Sequence, residues 1–215
     1  MIIEGITKSE RKVLKTIFSN PFKYYSLTHL QKECGVSYMS IFRSVRNLEN
    51  LGLIKKVLIS GNKFRTLNFK DERLLKLLEM SEVGKRLELK KKNAKTWPIL
   101  AELTEKLIDS FRHNLLMVIL VNSTAKKGLM SRSNANVLVV VPDSKDNAEA
   151  TISEALPYFK RKNVVATVIL LEEFMVGVKE IDLFKKILEN MTILYGEHIF
   201  WREISKLDQG NKLFL

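Results

Sequence analysis

The chain has 215 residues, more than the usual domain of ~100 to 150, so two modest domains with separate cores are expected. Its 46% hydrophobic and 28% charged residues are those of a globular protein in water and exclude a disordered chain. The net charge of +12 is concentrated: residues 1–70 hold 13 Lys/Arg against 4 Asp/Glu, residues 71–110 hold 9 against 8, and residues 111–215 hold 14 against 12. A polyanion is therefore drawn to the first third, where counterion release supplies binding free energy, and much less to the rest. No apolar run approaches the ~18 residues of a membrane span, and Met1-Ile2-Ile3-Glu4-Gly5 lacks the layout of a signal peptide. With the lone Cys34 suited to helix packing in a reducing interior, these features place the protein in the cytoplasm, with no membrane partner.

In chain order, Val13, Leu14, Ile17 and Phe18 fall at helical spacing, and Ser9 as cap and Asn20-Pro21 as stop predict a helix over 9–20. Ser26 caps a second, short helix through Cys34, which Gly35 ends in the left-handed conformation. After a tight turn Ser37 caps a third helix to about Asn50, whose buried stripe is Ile41, Val45 and Leu48. Its other side carries Tyr38, Ser40, Arg43, Arg46 and Asn47, donors and cations that suit base edges and phosphates in a major groove. Two β-prone stretches, 54–60 and 64–69, flank Gly61-Asn62-Lys63, where Gly and Asn supply positive φ for a hairpin turn.

The run Cys34-Gly35-Val36-Ser37, followed by Val45-Arg46-Asn47-Leu48-Glu49-Asn50-Leu51-Gly52-Leu53-Ile54, resembles winged-helix transcriptional regulators of the multiple-antibiotic-resistance type over residues 8–70. The resemblance implies that the third helix enters the major groove and the hairpin, or wing, contacts the flanking DNA. It makes Ser37, Tyr38, Ser40, Arg43, Arg46 and Asn47 candidate readers of duplex DNA, and Lys63 and Arg65 candidate phosphate contacts.

Residues 71–92 carry Leu74, Leu77, Leu78, Leu87 and Leu89 among charges and read as one or two amphipathic helices. Their apolar face packs on the same chain or on a second copy, and a homodimer is expected because it sets the spacing of two recognition helices. Trp97-Pro98 marks a break before a helix over 99–113 with Leu100, Leu103, Leu107 and Phe111 along one side.

From Leu115 the chain turns to short apolar runs, 115–121, 137–141 and 164–171, with helices expected over 147–162 and 181–191 and a last strand at 192–196. Val121-Asn122-Ser123, Gly128, Ser133-Asn134-Ala135-Asn136-Val137-Leu138-Val139, Leu171-Glu172-Glu173-Phe174 and Leu194-Tyr195-Gly196 together resemble the minimal nucleotidyltransferases over residues 99–200. In that family two aspartates on alternate strand positions hold the catalytic metals; here they are Asn134 and Asn136, neutral and weaker ligands. The third acid, expected near Ala166 or Thr167, is also missing, and Asn122 replaces the first Gly. The resemblance therefore implies an inactive relative, a pseudoenzyme that needs no cofactor or metal. Ser123 with Lys126, Lys127 and Arg132 forms a candidate anion-binding loop for a small anionic or nucleotide ligand. Glu172 and Glu173 are expected to begin a helix and complement its dipole.

The three histidines are far apart and lack metal-ligand spacing with Cys34, and no Ser/His/Asp motif or P-loop is present. The expected architecture is an α+β winged helix over 1–70, a helical connector over 71–98, and an α/β, nucleotidyltransferase-like domain over 99–215. The expected function is a sequence-specific DNA-binding transcriptional regulator whose C-terminal domain senses a ligand or holds a dimer. The alternatives are an active nucleotidyltransferase carrying a DNA-binding domain and an antitoxin-like protein-interaction module.

Overall fold

A computed structural model describes residues 6–111, 114–121, 135–142, 163–180 and 191–209. Among them the protein is mixed α/β, with seven helices and two sheets, divided into two compact units, Met1–Leu78 with Ile204–Leu215 and Glu79–Glu203. Residues 71–78 belong to the first unit and residues 79–98 to the second.

In the first unit, α1 spans Lys8–Ser19, α2 Leu27–Cys34 and α3 Tyr38–Asn50. Thr7, not Ser9, caps α1: its hydroxyl accepts from Glu10 N at 3.2 Å while Thr7 N donates to the Glu10 carboxylate at 2.7 Å. This reciprocal pair satisfies two orphan donors, which Ser9 with Lys12 three residues on does not offer. Ser26 and Ser37 cap α2 and α3 as expected. Val13, Ile17, Leu30, Ile41, Val45 and Leu48 are buried where the three helices pack, and Cys34 is buried with its Sγ 3.4 Å from Thr16 Oγ1.

Strands β1 (Ile54–Ile59) and β2 (Asn62–Leu67) pair antiparallel, Ile59 facing Asn62. The turn is therefore Ser60-Gly61, with φ of 48° and 78°, and Asn62 opens β2. Two positive φ values in a two-residue loop match the right-handed twist of the strands, which fixes the turn one residue earlier than the composition of Gly61-Asn62-Lys63 implies. Tyr25 extends the pair, exchanging both backbone hydrogen bonds with Arg65 at 2.9 and 2.8 Å.

Helix α4 (Glu72–Lys92) is continuous over 21 residues, and α5 is Trp97–Phe111. Pro98 lies inside the first turn of α5, where its missing N–H has no helical partner to lose, so the break falls just before Trp97. The second unit holds a four-stranded sheet of β3 (Met117–Val121), β4 (Ala135–Val141), β5 (Val164–Leu170) and β6 (Met191–Tyr195), in the order β5-β4-β3-β6. β4 and β5 are parallel; β3 runs antiparallel to both its neighbours and is almost wholly buried. Leu100, Leu103 and Leu107 of α5 pack with Val118, Leu120, Val137 and Val139. Helix α6 (Leu171–Glu180) starts on Glu172 and Glu173 as expected, Glu173 accepting from Leu170 N at 3.1 Å. Helix α7 (Glu197–Gln209), which the apolar runs do not reveal, contributes Phe200 and Trp201, set edge to face at 4.8 Å and fully buried. The helices expected over 147–162 and over most of 181–191 lie outside the described residues.

The outer edge of β6 is closed by side chains. Ile193 N donates to buried Glu82 at 3.3 Å, and Arg86 donates to Ile193 O at 3.0 Å, so two residues one turn apart on α4 take the place of a neighbouring strand. Arg86 also holds both oxygens of Glu197, at 3.0 and 2.8 Å. Burial opposes the charged form of Glu197, but the Arg86 fork and a backbone hydrogen bond outweigh it and hold the carboxyl below its ordinary pKa. Arg86→Ala is expected to cost about 2 to 3 kcal/mol in urea unfolding, because it strands a carboxylate and a carbonyl at once. Arg86→Lys should recover little, since an ammonium cannot repeat the fork. A loss under ~0.5 kcal/mol, the range of an ordinary surface change, would count against this role.

Candidate nucleic-acid interface

The third helix carries two cations, Arg43 and Arg46, on its outward side. Packing of Ile41, Val45 and Leu48 turns the opposite line, Met39, Arg43, Arg46 and Asn50, outward at i, i+4, i+7 and i+11. Arg43 and Arg46 are exposed, and no hydrogen bond or ion pair among the described residues holds either guanidinium. Ser37 is also exposed, its Oγ accepting from Ser40 N at 3.3 Å as the cap, and Tyr38 is 43% exposed on the flank. With Asn47, which is exposed as well, five of the expected readers are on the surface, on α3 or at its cap.

Ser40, half-buried, and Asn47, exposed, also bond to α1. Ser40 Oγ donates to Ser9 at 3.0 Å, and Asn47 Nδ2 donates to Glu10 Oε1 at 2.9 Å, so both tie α3 to the start of α1. Glu10 is buried, which works against its charge, but hydrogen bonds from Thr7 N, Asn47 and the Thr7 hydroxyl prevail and keep its carboxyl below the ordinary pKa. One acid thus both caps α1 and fixes the orientation of α3. The two helix faces enclose a shallow cavity of about 410 Å³ lined by Thr7, Ser9, Met39 and Arg43 among others.

Arg65 does not sit on the surface as a phosphate contact would. It is 8% exposed, its Nε donating to Glu49 of α3 at 3.1 Å and its Nη1 to Lys63 O at 3.3 Å. The alternation of β2 puts Lys63 and Arg65 on one face, but Arg65 is nearer the strand's base, beside the end of α3, where Glu49 claims it. Lys63 is exposed near the turn. Lys56, opposite Arg65 across the ladder, shares that face and is exposed as well, a residue the sequence reading passed over although the two-residue turn fixes its register. A second omission is the outward stripe of α1: Lys8, Arg11, Lys12 and Lys15 recur at i, i+3, i+4 and i+7, all exposed. Lys12 Nζ lies 3.4 Å from Cys34 O, beside the turn into α3.

In the second unit Asn136 is exposed on β4, between Val121 and Val165, while Asn134 lies outside the described residues. So do Ser123, Lys126, Lys127 and Arg132, the candidate anion-binding loop. Among the described residues no group of three or more His, Cys, Asp or Glu could hold a metal ion, and no helix is long and apolar enough to cross a membrane. No protein-family model matches the chain, and a search of curated proteins finds no similar sequence.

Proposed function

We propose that this protein is a cytoplasmic transcriptional regulator that reads duplex DNA, with α1–α3 and the β1–β2 hairpin acting as a winged helix-turn-helix. In this reading α3 lies in the major groove and Lys63 and Lys56 bind flanking phosphates. The observation that carries it is the one-sided surface of the first unit. Over residues 6–70 ten cations are exposed against a single exposed carboxylate, Glu33, because Glu10 is buried and Glu49 is half-buried against Arg65. A surface lysine-rich for stability alone would carry acids in similar number.

The second unit serves as a nucleotidyltransferase-like scaffold without catalysis, for sensing or dimerisation. Support comes from β5, which runs beside Asn136 and has no carboxylate anywhere in Val164–Leu170. A second copy of the chain is the protein partner, since two recognition helices on one duplex need a fixed spacing. Met80, Val83 and Leu87, 59%, 43% and 56% exposed at i, i+3 and i+7 of α4, supply an apolar stripe for it.

Fluorescence anisotropy against the upstream DNA of its own gene and a random duplex, repeated across salt, tests the reading. A site that keeps its affinity at salt concentrations where the random duplex is lost is the expected result. Lys63→Ala should weaken both duplexes by the same factor and lower the salt slope by about 1. Equal, steeply salt-sensitive binding to both duplexes by the unaltered protein would sink the regulator and leave a basic surface alone.

A further inference from the structure

Two apolar side chains interrupt the cationic face of α3. Met39 is 55% and Phe42 41% exposed, although Ile41, Val45 and Leu48 already form the buried side of the helix. Met39 falls on the line of Arg43 and Arg46, and Phe42 lies next to it. The surrounding charge selects a polyanion, so the apolar pair must find its complement on a nucleic acid. On the base edges of the major groove the 5-methyl of thymine is the largest apolar group; the remaining features are hydrogen-bond donors and acceptors and the small C5–H of cytosine.

Resting on the DNA-reading role proposed above, we infer that Met39 and Phe42 read thymine 5-methyl groups. The preferred site carries thymines opposite the first two turns of α3, with the flanking bases or phosphates taken by Arg43 and Arg46. Phe42 offers a rigid face that fits a methyl in one place, and the unbranched thioether of Met39 adapts to the step beside it. The residues that discriminate are therefore partly apolar, which separates base preference from salt dependence: a methyl contact involves no counterion, whereas an arginine contact does.

The experiment is to select the preferred duplex from a random pool with the full chain, then replace its thymines one at a time by uracil, which removes the methyl and keeps every hydrogen-bonding group. At one or two positions Kd is expected to rise about fourfold, the worth of one buried methyl, with the salt slope unchanged. The Met39→Ala, Phe42→Ala double variant, altered only on the surface, should bind the thymine and uracil duplexes alike. A selected site that tolerates uracil at every position overturns the methyl reading while DNA recognition stands. Failure to enrich any sequence overturns DNA recognition and the methyl reading together.

Discussion

Replacing Arg43 and Arg46 together by alanine is expected to weaken specific DNA binding by about 2 to 6 kcal/mol, at least thirtyfold, if each guanidinium forks a base edge. Both are exposed, neither is held by a partner among the described residues, and they are one turn apart on the outward line of α3. Because no internal contact is removed, the melting temperature should stay within the small range of surface substitutions. The measurement is the ratio of specific to random-duplex affinity at one salt concentration. Collapse of the ratio assigns the arginines to bases. An equal loss on both duplexes, with the salt slope lower by about 2, assigns them to phosphates instead. Unchanged affinity for both duplexes would remove α3 from the interface.

Gly196→Ala is expected to destabilise the sheet-bearing unit by about 2 to 5 kcal/mol. Gly196 joins β6 to α7 at a φ of 81°, which by itself costs an alanine about 1 to 2 kcal/mol. A Cβ there would also run into the backbone carbonyl of Leu116, immediately before β3, and approach Met117 Cα. Backbone cannot swing aside as a long side chain does, so β3 or β6 must shift, adding about 1 to 3 kcal/mol. Both strands are buried and paired, Val118 to Tyr195 and Ile119 to Ile193, so the shift spreads into the core. Urea unfolding monitored at Trp201, fully buried just beyond this turn, reports it directly. A loss below ~1 kcal/mol would show that the close approach is relieved without cost.

Much of this architecture can be read along the chain because it is built by neighbours in sequence. The stripe Ile41, Val45 and Leu48 defines α3, Ser26 and Ser37 announce the helices that follow them, and the apolar runs around Val118, Val139 and Val168 become strands. These signals are local: a helix period, a cap three residues from its donor, a strand too apolar to face water. Arg43, Arg46 and Lys63 follow from the same reasoning and remain exposed where it placed them.

Tertiary structure decided everything that depends on a partner far along the chain. Arg65 looks like Lys63 along the chain, yet it is buried and paired with Glu49, 16 residues away; Asn47, exposed, donates to Glu10, 37 residues away. Likewise the closure of β6 by Glu82 and Arg86 spans about 110 residues and leaves no periodic trace. By itself the sequence determined the helices, the strands, and the basic character of the first third. Which polar side chains face solvent and which are used up inside was settled only by packing, because a buried charge needs a counterpart and the chain supplies it from wherever folding brings one.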